Sequence, residues 1–173
     1  MVTDVFYQYL HARQLMNGMT TEEKILFKNH LKHFCQVRIE QRMAAAREAI
    51  RHAQDAANNE EKSSAGDKYE TGRAMGHLQK DMHARQLSEY IKELSDLLAV
   101  NTSIIYEQVT AGVFFETEKL AFFIAAGLGK QIVDDKQILF LSPHAPLAGS
   151  LQDKKIGDAF IFSGMSVSIK ELF

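Results

Sequence analysis

The stretch Ile39-Glu40-Gln41-Arg42-Met43-Ala44-Ala45-Ala46-Arg47-Glu48-Ala49-Ile50-Arg51-His52-Ala53-Gln54-Asp55-Ala56-Ala57 decides the fold. Ile39, Met43, Ala46, Ile50, Ala53 and Ala57 recur at alternating steps of four and three, the heptad seam of a coiled coil. Upstream, Phe27, Leu31, Cys35 and Ile39 step by fours, a stutter that continues the seam without breaking it. No glycine or proline interrupts Glu22–Glu61, so one long helix is predicted. Thr20 or Thr21 is placed to cap its start, and Glu22 and Glu23 favour the positive end of its dipole. The seam narrows to alanine toward its C-terminal end, which lets a partner helix approach closely there.

The partner follows in sequence. Asn58-Asn59 and Ser63-Ser64-Ala65-Gly66 form a polar turn region, and a further helix is predicted from Met75, Leu78 and Met82, then Leu87, Ile91, Leu94 and Leu98, with one slip of register around Arg85-Gln86. Folding back about residues 64–65 sets Ala57 on Gly72, Ala53 on Gly76, Ala46 on Met82, Ile39 on Tyr90, Cys35 on Leu94 and Leu31 on Leu98. Small faces small near the turn and large faces large away from it. The expected unit is an antiparallel coiled-coil hairpin over residues 21–100, with its tip near 58–70 and ~33 residues per arm, a rod of roughly 50 Å. Residues 1–20 read as an extra short helix, with Phe6, Tyr9 and Leu10 covering Leu26, Phe27 and Leu31 at the base of the hairpin.

After Asn101 the pattern changes to short β-rich runs: Ile104-Ile105, Val109, Val113–Phe115, Leu120–Ala126, Lys136–Leu141, Ala159–Phe162 and Ser166–Phe173. They read as short antiparallel strands, with turns at Gly127/Gly129, Asp134-Asp135 and Ser163-Gly164. Phe114-Phe115 and Phe122-Phe123 are adjacent pairs, so alternation predicts one of each facing in and one out. Ser142 as N-cap with Pro143 at the first helical position predicts one short helix over His144–Leu151. The expected class is α+β: a helical hairpin followed by a small antiparallel sheet domain over residues 101–173, with one short helix.

Composition narrows the function classes. The chain has 173 residues, 46% apolar and 24% charged, with a formal net charge of −2. That balance argues against wholesale attraction to nucleic acid or an anionic membrane. The apolar runs fall short of the ~20 residues a membrane span needs, and Met1–Leu10 carries no basic cluster, so no secretory signal is expected. The single cysteine, Cys35, excludes an intramolecular disulfide and a thiolate zinc cluster and points to a reducing, cytoplasmic setting. Cys35 lies on the helical seam, where it serves as a small buried hydrophobe. His30 and His33 are a lone i,i+3 pair, without the further ligands a zinc site needs.

The chemistry-bearing candidates lie at the tip. Asp67 and Glu70 stand three apart at the start of a helix, so their carboxylates share one side. Such a pair can share a hard cation such as Mg²⁺, but two ligands hold it poorly, so the arrangement makes chemical sense where another molecule supplies the rest. Read otherwise, the two acids simply favour the helix dipole. Lys62, Lys68, Tyr69 and Arg73 surround them as candidate tip contacts.

Two segments resemble the bacterial GreA/GreB transcript-cleavage factors, which enter the secondary channel of RNA polymerase. Gly66-Asp67-Lys68-Tyr69-Glu70 matches the family pattern G-D-x-x-E. Ser142-Pro143-His144-Ala145-Pro146-Leu147-Ala148-Gly149 onward to Gly157-Asp158 resembles its S-P-…-A-L-…-G-…-G-D run, with Ser142, Pro143, Gly157 and Asp158 at the motif ends. The resemblance implies an FKBP-like C-terminal domain that docks on RNA polymerase and a hairpin that inserts in the channel. It also implies that Asp67 and Glu70 are accessory catalytic acids, donated to a Mg²⁺ shared with the polymerase and not tightly bound by this chain alone. Nascent RNA is then an indirect contact, and a monomer with no membrane partner is expected. The sequence departs from the family at Thr71 and Gly72, where Asn and an aromatic usually follow the second acid, and in residues 1–20. A channel competitor without cleavage activity, a non-catalytic protein-interaction module and, by fold analogy alone, a prolyl isomerase are the competing readings.

Overall fold

The computed structural model of the chain describes residues 18–60 and 68–173. Two long helices, α1 (Thr21–Glu60) and α2 (Lys68–Ala99), precede strands β1 (Phe114–Glu116), β2 (Ala121–Ile124), β3 (Gly129–Val133) and β4 (Lys136–Leu141). A short helix α3 (Pro146–Leu151) follows, then β5 (Ala159–Phe162), β6 (Met165–Ser168) and β7 (Glu171–Leu172). The class is α+β, a packed helical hairpin followed by a small sheet domain. The N-terminal helix expected within residues 1–20, and its cover over the hairpin base, lie outside the described residues.

Helix α1 opens with a reciprocal cap. The Thr20 Oγ1 accepts the Glu23 N–H at 3.2 Å, and Glu23 Oε2 accepts the Thr20 N–H at 2.7 Å, which satisfies two of the donors a helix start leaves unpaired. Its buried row is Phe27, Leu31, Cys35, Ile39, Met43, Ala46 and Ala53, with Ile50 half-buried. The seam therefore runs where the periodicity puts it.

On α2 the seam differs from the expectation. Met75, Leu78, Met82, Ile91 and Leu98 are exposed, each by 47–62%. The inward positions are Gly76, Lys80, His83, Leu87, Tyr90, Leu94 and Leu97, a run of alternating fours and threes with no slip at Arg85-Gln86. The physical reason lies on α1: opposite the outer half of α2 it presents alanines, and the closely approaching backbones leave no depth for Met or Leu. Lys80 fits because its stem lies along the groove while its Nζ donates to Gln54 Oε1 at 2.6 Å.

Among the described residues, five strands form one sheet in the order β3-β4-β2-β1-β7, and β5 and β6 form a separate ribbon. Most pairs are antiparallel, but β2 and β4 run parallel, with Ala121 opposite Ile138 and Phe123 opposite Phe140. The purely antiparallel sheet expected from the sequence is thus a mixed one: the β3–β4 hairpin returns so that β4, not β3, lies beside β2. Its two-residue turn is Asp134-Asp135, both at positive φ, and Ser163-Gly164 closes β5–β6 in the same way. Ile104, Ile105 and Val109 belong to no strand; they lie in the connection from α2 to β1.

Both faces of the sheet are covered, so the in/out expectation for the phenylalanine pairs fails: Phe114, Phe115, Phe122 and Phe123 are all fully buried. Phe114 and Phe123 face the hairpin, where they join Phe27, Leu31, Cys35, Ile39, Leu97 and Phe140 in one core. Phe27 meets the Phe114 ring edge-on at 5.0 Å. Phe115 and Phe122 stack at 4.7 Å on the opposite face, under α3 and the β5–β6 ribbon. Phe27 and Leu31, at the base of the hairpin, are covered by the sheet.

The hairpin base is fastened to the connection after α2 by two lysines. Lys32 Nζ donates to the carbonyls of Leu98 at 3.0 Å and Val100 at 2.6 Å, at the end of α2 where carbonyls have no helical partner. Lys28 is fully buried, donates to the Ile104 carbonyl, and sits 4.7 Å from the Tyr106 ring centre. Tyr106 in turn donates to the Asn101 carbonyl at 2.8 Å. Gly112 closes the same connection at φ +91, and a Cβ there would lie 2.2 Å from the Asn101 oxygen.

Burial lowers the Lys28 ammonium from its ordinary value to about 8. Between pH 8 and 10.5 the unfolded chain holds a proton that the folded chain has released, so stability rises with pH across that window. Below pH 8 the cost of burying the charge is fully present. Urea unfolding from pH 7 to pH 10 should show the native chain gaining on the order of 1 kcal/mol or more relative to Lys28→Met, whose profile lacks this rise.

Candidate functional site

The tip candidates are placed by connectivity. Helix α1 ends at Glu60 and α2 begins at Lys68, so of the acid pair only Glu70 falls on a described element, in the first turn of α2. Lys62 and Asp67 lie outside the described residues. Lys68, Tyr69, Glu70 and Arg73 fall in the first turns of α2, with Lys68 its first residue, and only their backbone is described.

The arm that carries them has two regimes. From Phe27 to Met43 on α1, and from Leu87 to Leu97 on α2, the helices share the sheet's core. Beyond Met43 the buried members of α1 are small, Ala46 and Ala53, and α2 offers Gly76, Lys80 and His83. This outer part is a two-helix rod of about 15 residues per arm past Met43, roughly 20–25 Å at 1.5 Å per residue. Exposed ion pairs trim its surface, with Arg51 donating to Glu48 at 2.6 Å and to Asp55 at 3.2 Å.

The second motif segment is described in full, and its residues occupy two different turns. The Ser142 Oγ accepts the His144 N–H at 3.2 Å and the Ser142 carbonyl accepts the Ala145 N–H at 3.0 Å. The helix expected over His144–Leu151 begins only at Pro146, with Ala145 as its N-cap at φ −67, ψ 141. Ser142 is thus not the cap, and Pro146, not Pro143, opens the helix. The cause is local: a residue preceding proline is driven out of the helical region, so Ala145 cannot continue a helix begun earlier. His144 leans toward the hairpin, with Nε2 3.5 Å from Asp96 Oδ2.

Gly157 and Asp158 build the turn before β5. Gly157 has φ +93 and donates its N–H to the Ile169 carbonyl at 2.8 Å. Asp158 Oδ2 accepts the Lys155 N–H at 2.8 Å, its own N–H donates to the Lys155 carbonyl, and its carbonyl accepts the Ile169 N–H, each at 3.0 Å. A short acceptor side chain beside a left-handed glycine is the chemistry of a tight turn. Both residues are exposed, but their polar groups are spent on the chain itself.

The remaining candidates are structural. Cys35 is fully buried and its thiol is pushed up to about 12, by burial first and then by the nearby Glu93 carboxylate, so it is inert as a nucleophile. His30 lies 3.3 Å from Asp134 in the β3–β4 turn, and His33 is exposed. Among the described residues no three His, Cys, Asp or Glu side chains come together to hold a metal, and no helix is long and apolar enough to cross a membrane.

Sequence reading missed Glu93. It accepts the Gly127 N–H at 3.0 Å and reaches Arg42 at 3.8 Å, tying both helices to the sheet. It stands in a polar heptad position beside Leu94, and nothing in its local pattern separates it from the surface glutamates.

Comparison with protein-family models, with curated proteins and with solved structures finds no match for this chain.

Because Asp158 is bound into its turn, its replacement should register in folding. Asp158→Ala removes the acceptor of the Lys155 N–H and is expected to lower unfolding free energy by about 1 kcal/mol. Gly157→Ala, in open space but at positive φ, should cost a similar amount, about 1 kcal/mol. Chemical denaturation of the two variants measures both.

Proposed function

We propose that this chain is a Gre-like factor that binds RNA polymerase and delivers the tip of its helical hairpin into the enzyme's secondary channel. The observation that supports the reading is the two-helix rod extending past the core shared with the sheet, whose second helix opens with Lys68-Tyr69-Glu70 of the G-D-x-x-E match. A slim rod with its core at the base suits insertion into a narrow passage. The small sheet domain, FKBP-like by the same resemblance, is the part that stays outside and docks.

In this reading Asp67 and Glu70 act as donated ligands. Two carboxylates fill two positions of an octahedral shell, so the other ligands of a shared Mg²⁺ come from polymerase and water. Bound there, the metal pair supplies the two-metal chemistry of phosphodiester hydrolysis. In the same reading Lys62, Lys68 and Arg73 contact phosphates of a backtracked RNA and Tyr69 stacks on a base.

A channel competitor that binds without stimulating cleavage is favoured by two features. Thr71 and Gly72 stand where the family carries Asn and an aromatic, and Gly72 and Gly76 weaken the start of α2 by ~1 kcal/mol each relative to alanine.

The experiment has two stages. The tagged chain should retain RNA polymerase from a low-salt lysate, and its failure to do so sinks the polymerase reading in favour of a protein-interaction module. In a stalled elongation complex the native chain should accelerate cleavage of the transcript 3′ end. Asp67→Asn with Glu70→Gln should abolish that acceleration and leave polymerase retention unchanged. Retention without cleavage by the native chain identifies the competitor.

A further inference from the structure

Helix α1 runs lengthwise beside β3, the edge strand of the sheet. His30 lies 3.3 Å from Asp134 at one end of the strand, while Arg38, Gln41, Arg42 and Ala45 line a cleft of about 390 Å³ with Leu128 and Gln131 at the other. Gln131 brings the edge strand β3 to one wall of this cleft. The register sets Gly129 opposite Phe140, Gln131 opposite Ile138 and Val133 opposite Lys136 across a two-residue turn, so these residues exchange hydrogen bonds with β4. The N–H and C=O groups of Lys130 and Ile132 consequently point away from the sheet. Two residues of this five-residue edge strand therefore have backbone groups open for pairing, and the Ile132 side chain is 70% exposed on the face opposite α1.

The walls carry charge of one sign. The Arg38 guanidinium stacks on Phe34, its carbon 5.2 Å from the ring centre, and its one hydrogen bond among the described residues reaches Gln41 at 3.4 Å. It has no carboxylate partner there. Arg42 reaches Glu93 only at 3.8 Å. Both arginines keep donors to spend. As i,i+4 residues they are spaced by about 6 Å along α1. Alternate residues of an extended chain are about 6.6–6.8 Å apart on one face. A strand laid against β3 thus presents every second side chain to the arginines at nearly matching intervals, and the intervening ones to Ile132.

We propose that the β3 edge is a docking site for an extended acidic peptide segment of a partner protein, which adds as a sixth strand. Its recognition pattern is alternation: Asp or Glu toward Arg38 and Arg42, apolar residues toward Ile132. Main-chain pairing with Lys130 and Ile132 supplies affinity, and the arginine row fixes register and rejects basic segments. The same row disfavours a second copy of this chain pairing edge to edge, because the arginine pairs of both copies would then line one joint. The site lies on the sheet domain and α1, separate from the tip, and holds whether or not the polymerase reading does.

The test uses the full chain and a fluorescein-labelled octapeptide of alternating Glu and Val, followed by anisotropy at low salt, with a Lys-Val octapeptide of the same length as control. Binding of the Glu-Val peptide at least tenfold tighter than the Lys-Val peptide is expected. Arg38→Gln with Arg42→Gln, both at the surface, should weaken it about tenfold. Ile132→Pro removes an outward donor at an edge position that tolerates proline and should abolish binding while circular dichroism stays unchanged. A Glu-Val peptide N-methylated at alternate residues makes the same test on the ligand side and should not bind. Equal binding of the acidic and basic peptides, or full binding by the N-methylated peptide, overturns the proposal. So does a labelled RNA decamer that binds more tightly through the same two arginines, which would make the cleft a phosphate-contacting surface instead.

Discussion

Everything else in this molecule hangs on one row of side chains. Phe27, Leu31, Cys35, Ile39 and Met43 leave α1 on a single face and enter a core that also contains Phe114, Phe123, Phe140 and Phe173 from the sheet. Each fully buried phenylalanine or leucine contributes about 1.5–3 kcal/mol, so this row is both the foot of the hairpin and one of the two covers of the sheet. Helix and sheet share it, and neither has a complete core without the other. It fixes the direction of the rod relative to the sheet domain.

The second constraint is the short connection between α2 and β1. Carbonyls at the end of α2 and in the connection after it, those of Leu98, Val100 and Ile104, are taken up by Lys32 and Lys28 of the neighbouring helix. The choice of lysine has a consequence. Burial holds this ammonium below its ordinary proton affinity, and among the described residues its charge is met by a carbonyl and an aromatic face. That arrangement is worth its cost because it pins a segment, residues 101–113, that contributes no strand and only a little core of its own.

How much of this was legible in the sequence depended on which physical signal each element carried. The α1 seam was, because large apolar residues sit at every heptad position down to Met43. The strands β4 and β5 were, because alternation and turn dipeptides bound them. The α2 seam was not. Its true members include Gly76, Lys80 and His83, while Met75, Leu78 and Met82 mimic a seam about 130° around the helix, and only packing against α1 decides between the two. The parallel β2–β4 pair was invisible because strand order is a non-local fact. The late start of α3 was readable in principle: Pro146 forbids helix at Ala145, a constraint stronger than the cap signal of Ser142-Pro143. As for the site residues, the motif ends Ser142, Pro143, Gly157 and Asp158 prove to be turn chemistry, whereas the tip acids rest on connectivity and on the resemblance.

That division says something about where activity sits in this chain. The sheet domain spends its polar motif groups on itself: Ser142 on His144, Asp158 on Lys155, Gly157 on Ile169. Residues so engaged hold a shape and have little left for a substrate. The groups left unspent are of another kind and in other places. Among the described residues they include the outward backbone of β3 with the two arginines beside it. The packing itself is graded along the hairpin, with large side chains at the base and alanine and glycine along the arm, so the foot is firm and the arm stays slim.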